Sequence, residues 1–323
     1  MTHALRYSTL GVIIFALVLA GLFLGPSNYG FRDAINGIFG SEDTVVNTII
    51  WSIRIPRIAV SFVVGGCLGL AGALIQLSSR SPLGDPNLFG IGGAAAIFLA
   101  CSAAGLITTQ EPLIFIGAIG FSIFISIILV RLISERNLTP TRLAIMGIAL
   151  GSLTIAVSTA VISHGSIFSI QVLGLVAGSF AYSNWTIFYY VLITFVICAV
   201  IALVLSRQFQ PIVLGDTLSK SLGVNPHRLR LVSMILAGIL TAASVYGGGI
   251  ISFVGLISPH ISRRLFGNMP IQLFIGSIIT GGILTMLSDQ FARLLFAPTE
   301  LPVGMATTVI GAPLMMYLAL RIR

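Results

Sequence analysis

Residues 51–66 read WSIRIPRIAVSFVVGG. Arg54 and Arg57 flank Pro56, and behind them residues 58–79 hold no Asp, Glu, Lys or Arg. As a helix such a run crosses a ~30 Å hydrocarbon core, which takes about 20 apolar residues. Seven more charge-free windows lie at 7–31, 86–110, 112–130, 143–206, 231–262, 265–288 and 301–320. The window 143–206 is too long for one crossing. Gly165, Gly174, Gly178 and Asn184 divide it into a span at 143–164, a short re-entrant helix near 168–180 and a span at 185–205. The window 231–262 holds Gly247-Gly248-Gly249 and divides into a span and a short return helix. The reading is an all-α polytopic membrane protein of about ten transmembrane helices, residues 1–323 forming one domain.

Composition agrees. Hydrophobic residues make up 56% of the chain and charged residues 8%, against about 25% charged in soluble domains. Mean hydropathy is +1.07. The net charge of +8 comes from single basic residues between apolar windows. No basic patch interleaved with aromatics exists, which excludes nucleic acid as a partner. Cys67, Cys101 and Cys198 all sit inside apolar runs and read as small buried hydrophobes. No metal-ligand spacing occurs.

Ten crossings put both termini on one side, and basic residues in short loops mark the cytoplasmic face. With both ends inside, thirteen of the seventeen basic residues are cytoplasmic. Arg32, Arg54, Arg57 and Arg293 are external, with the segment 32–57. There an arginine either snorkels to lipid head groups or forks a carboxylate on an acidic partner. Asp85 falls in a cytoplasmic loop, and Asp289 falls at a helix end beside Arg293 as a structural pair.

The longest internal connection is the loop 206–230, SRQFQPIVLGDTLSKSLGVNPHRLR at 206–230. Asp216 suits an N-cap for a two-turn helix through Thr217–Leu222, with Gly223 as its stop. Asn225 caps the next helix, with Pro226 at its first position. This is either a tidy connector or a lever for a cytoplasmic machine. The chain has no phosphate loop: Leu214 stands where the glycine six residues before Lys220 would be. Span interiors lack the carboxylates an ion-coupled secondary carrier needs. A transporter with neither draws its energy from another subunit. An intramembrane hydrolase fares worse. Ser252 and His260, taken on one helix, stand roughly 12 Å apart.

Five stretches then resemble one family. RIPRIAVSFVVGGCLGLAGALIQ (54–76), SPLGDPNLFGIGGAA (81–95), LGDTLSKSLGVNPHRLR (214–230), GGIISFVGLISPHISRRLFG (248–267) and ELPVGMATTVIGAPLMMYLAL (300–320) resemble the FecCD-type permease subunit of ABC importers for iron–siderophores, haem and cobalamin. The resemblance implies a ten-helix subunit dimerising around a central pathway with a second permease, identical or similar. It implies two cytoplasmic ATPases that use ATP, none being bound by this chain, and an external binding protein that delivers the ligand. It implies an inner-membrane location in a bacterium and a ferric siderophore as cargo, with haem or cobalamin as alternatives. By the same resemblance Arg54, Arg57 and Arg293 dock the binding protein. Gly215, Asp216, Thr217, Leu218, Ser219, Leu222, Gly223, Val224, Asn225 and Pro226 form the element that couples to the ATPase. The fifth span, with Ser152, Thr154, Ser158, Thr159 and Ser163, lines the pathway. Gly65, Gly69, Gly72, Gly147 and Gly151 supply small-residue contacts between spans. One departure stands out: after RRLFG the family's longer basic segment is reduced to Asn268-Met269-Pro270.

Overall fold

The computed structural model describes residues 3–24, 44–107, 110–135, 140–164, 170–213, 216–297 and 299–321. The described residues form helices α1 His3–Phe23, α2 Ile55–Ser79, α3 Ile91–Ala103, α4 Glu111–Glu135, α5 Pro140–His164 and α6 Ile170–Ala177. They continue as α7 Trp185–Leu205, α8 Asp216–Ser221, α9 Pro226–Gly248, α10 Val254–Phe266, α11 Pro270–Leu294 and α12 Val303–Arg321. Among the described residues seven helices are long and apolar enough to cross a membrane, and α3 and α12 are shorter apolar helices. The short helix expected near 168–180 is α6, and the expected break after Gly248 falls at Gly249, whose φ is +71°.

α2 is the axis of the bundle. The span that contains it is 83% buried, whereas α1 is 6% buried and lies at the periphery. Its glycines make this possible. A Cβ on Gly65 would lie 2.3 Å from the Gly281 carbonyl oxygen, and one on Gly69 2.0 Å from that of Ser277, both on α11. A Cβ on Gly72 would lie 1.8 Å from the Gly255 carbonyl oxygen on α10. Bare backbone on both sides allows the close approach that packs helices in lipid, where no hydrophobic effect drives association. Gly147 and Gly151 of α5 likewise seat the Phe89 ring and the Leu88 carbonyl.

α3 and α10 have 13 residues each, about 20 Å of helix, too short to cross the core alone. Each follows an irregular stretch, 80–90 and 249–253, of which residues 84–87 and 249–251 are buried. The packing order around them repeats. α2 lies on α11 and α10, while α9 lies on α4 and α3. The order agrees with an internal repeat relating the α2–α5 and α9–α12 halves.

Candidate functional site

The chemistry gathers at the end of the bundle where α1 stops and α2 begins. The chain enters α2 through a six-residue π-helical stretch, Ile49–Arg54, a wide turn often found at functional sites. Arg54, Arg57 and Arg293 come together here, yet their residues are only 5%, 6% and 4% exposed. Arg57 is the hub. Its Nε and Nη2 donate to Asp289 at 3.0 and 2.7 Å, and its Nη1 donates to both Glu300 oxygens at 3.0 Å. Arg293 Nη2 donates to the carbonyls of Gly21 and Leu24 at 3.2 and 2.8 Å, and Arg54 Nη1 donates to that of Leu22. Two guanidiniums thus satisfy carbonyls at the C-terminus of α1, which no turn of its own helix can reach. The sequence reading paired Asp289 with Arg293, four residues on. The structure pairs Asp289 with Arg57 instead, because the glycine-lined crossing brings α2 against that face of α11.

At the opposite end α8 stands out from the bundle. Gly215 lies outside the described residues, and of Asp216 and Thr217 only the backbone is described, as the first turn of α8. Gly223, at φ +79°, closes the helix: its N–H donates to Lys220 O at 3.0 Å, and that of Val224 to Ser219 O at 3.0 Å. This is a Schellman stop. Asn225 Oδ1 then accepts from the N–H groups of His227 and Arg228 at 3.1 and 3.2 Å and starts α9, with Pro226 following. Ser219 is fully buried and donates to Pro211 O at 2.8 Å, which fixes α8 to the preceding turn. Leu218 and Leu222 remain 54% and 61% exposed. A rigid helix with two bare leucines is a ready contact face.

α5 divides its hydroxyls between two faces. Thr154 and Ser158 are buried and donate to Gly151 O and Ile155 O at 3.0 and 2.8 Å; Thr154 packs against Gly93 of α3. Ser152, Thr159 and Ser163 are exposed. They share that side with Ile148 and Leu153, which are 51% and 60% exposed. Thr159 also donates to Ile155 O, at 2.9 Å. Ser252 lies in the irregular stretch before α10 rather than on it, and His260 Nδ1 is held 2.8 Å from Leu256 O. Among the described residues no three His, Cys, Asp or Glu side chains gather as a metal site.

The model of the FecCD transport family matches residues 12–321. The chain belongs to the FecCD transport family. Among curated relatives, the Fe(3+)-citrate import system permease protein YfmD of Bacillus subtilis is 32% identical, the match covering 95% of this chain and 92% of the relative. The vitamin B12 import system permease protein BtuC of Vibrio vulnificus is 31% identical over 98% of this chain and 94% of its own. A solved structure described as an inward-facing conformation of a putative metal-chelate type ABC transporter aligns with a TM-score of 0.81. It is 28% identical over 99% of this chain and 100% of its own. This FecCD chain is therefore a multi-pass, non-catalytic permease subunit of the ABC importer type.

The FecCD fold also holds a carboxylate that sequence reasoning put in a cytoplasmic loop. Asp85 is fully buried. Its Oδ1 accepts from the N–H groups of Asn87 and Leu88 at 2.9 and 3.0 Å, and its Oδ2 lies 3.1 Å from where a Cβ on Gly255 would be, at the start of α10. Asn87 Nδ2 donates to Ile251 O at 2.7 Å, and Gln76 Nε2 donates to Gly84 O and Leu256 O at 3.3 and 3.1 Å. These side chains satisfy buried irregular backbone around them, as groups withdrawn from water require. The Asp-Pro-Asn sequence signals the turn; nothing local signals that the turn is buried.

Proposed function

We propose that this chain moves a ferric siderophore across the cytoplasmic membrane of a bacterium by alternating access, as one permease of a pair powered by two cytoplasmic ATPases. The observation that carries the cargo is the match to an iron(III)-citrate permease through nearly the whole chain. The end bearing α8 faces the cytoplasm, by the basic-residue bias, and the Arg57 end faces outward, where an external binding protein docks. The exposed leucines of α8 seat in the ATPase. Closure of the ATPases drives α8, and the packed spans tilt as rigid bodies about the α2 crossings. The exposed face of α5, apolar with three hydroxyls and no charge among its described side chains, suits a bulky chelate that must pass without being held. The second permease covers the rest of the apolar face that α5 and α12 present, with Val309 of α12 65% exposed. Lipid surrounds the remainder.

A second reading has a specific observation behind it: the B12 relative matches as much of the chain as the iron relative does. One experiment separates the readings. Uptake of radioiron on several siderophores, of labelled haem and of labelled cobalamin is measured in cells lacking the chain and with it restored. A siderophore-specific loss is expected. Loss of cobalamin or haem uptake alone refutes the cargo and keeps the machine. Uptake that persists on ATP depletion but stops with an ionophore refutes the machine in favour of an ion-coupled carrier.

A further inference from the structure

We propose that Glu300 holds, in the free permease, the place that a carboxylate of the external partner takes on Arg57, so that docking proceeds by exchange of one carboxylate for another. This inference rests on the docking reading above. The Arg57 guanidinium has both its edges occupied. The inner edge is forked by Asp289, whose side chain is 4% exposed, and the outer Nη1 is held by Glu300, whose side chain is 29% exposed. An incoming acid therefore meets Glu300, not bare guanidinium. Displacing Asp289 would strand a buried charge, which is strongly unfavourable. Displacing Glu300 strands nothing, because that side chain already reaches solvent and lies outside any helix, between α11 and α12.

The exchange keeps the charge at Arg57 constant, which matters in a site this dry. Arg293 lies within electrostatic reach of Arg57, Asp289, Glu300 and Arg54, and its Nε is buried without a hydrogen-bond partner. Emptying the outer edge of Arg57 without replacement would leave Arg57 and Arg293 to share the single charge of Asp289. Glu300 removes that state from the cycle. It also filters partners, because a neutral or basic surface gains nothing at Arg57 that repays the loss of the Glu300 bonds. The partner that fits is an acidic protein surface with a carboxylate on a projecting side chain.

The test uses the full-length permease in lipid nanodiscs, titrated with the purified external binding protein of the same importer. Glu300→Gln removes the competing charge and is expected to tighten binding about tenfold, through faster association. Glu300→Asp keeps the charge on a shorter arm and is expected to tighten binding less. Arg57→Gln is expected to weaken it. If Arg57→Gln weakens binding while Glu300→Gln and Glu300→Asp leave it unchanged or weaken it, Glu300 is no placeholder, and docking at Arg57 stands. If Arg57→Gln changes nothing, the docking reading itself falls, and this inference with it. Should Glu300→Gln fail to fold, the Glu300→Asp result decides by the same criterion.

Discussion

Replacing Gly72 with alanine tests whether the α2–α10 crossing depends on bare backbone. The added Cβ would sit 1.8 Å from the Gly255 carbonyl oxygen, 2.5 Å from its carbon and 2.8 Å from its Cα. All three are main-chain atoms, so no rotamer change makes room. Reaching even 3.0 Å from that oxygen takes a retreat of about 1.2 Å, a shift of the size that overpacked cores resist at about 1–3 kcal/mol. The same retreat pulls at the Gln76–Leu256 bond, 3.1 Å long, whose loss costs roughly another 1 kcal/mol. Alanine returns up to about 1 kcal/mol through its better helix propensity. The net loss is about 1–3 kcal/mol, read as a fall in melting temperature of roughly 2–4 °C in a fixed detergent. Gly11→Ala is the control, since a Cβ there meets nothing within 4 Å. If Gly72→Ala melts with Gly11→Ala, the crossing is looser than described and the reasoning fails.

Two further perturbations probe a helix cap and a buried turn. Asn225→Ala strips the cap of α9, costing about 1 kcal/mol. Hydrogen exchange at the amides of His227 and Arg228 should quicken roughly fivefold, and unchanged exchange there would remove the cap from the account. Asp85→Ala leaves the buried N–H of Asn87 and the part-buried N–H of Leu88 without this acceptor, at about 1–3 kcal/mol. Asp85→Asn keeps one oxygen acceptor and should cost less. Equal melting of the two variants would mean that Asp85 Oδ1 does not hold the turn.

What the sequence disclosed and what it hid divide along a physical line. Punctuation was legible: Gly223, Asn225, Pro226 and Gly249 act within a few residues of themselves, and each stands where its backbone chemistry requires. The apolar windows were legible because lipid imposes length and polarity on every span. The partner of Arg57 was not, since Asp289 lies 232 residues away and only the crossing of α2 and α11 joins them. Nor was the burial of Asp85, because a short polar turn reads the same whether it lies in water or is wrapped by helices. The sequence reading put the three arginines on one outer side, by the basic-residue count, and made them a docking surface by resemblance. The structure turns them inward, satisfying α1 and two carboxylates.

That inward turn sets a timetable for synthesis. α1 precedes its partner: the Gly21 carbonyl at its end waits for Arg293, which follows by 272 residues. At about 5–20 residues per second, the helix spends roughly 15–55 seconds in the bilayer before that partner exists. Arg6, whose guanidinium meets the Leu265 carbonyl, and Gln290, which meets that of Leu17, are bound by the same delay. Arg54, 32 residues after Leu22, reaches α1 early, and Arg293 completes the attachment only after α2 through α10 have been made.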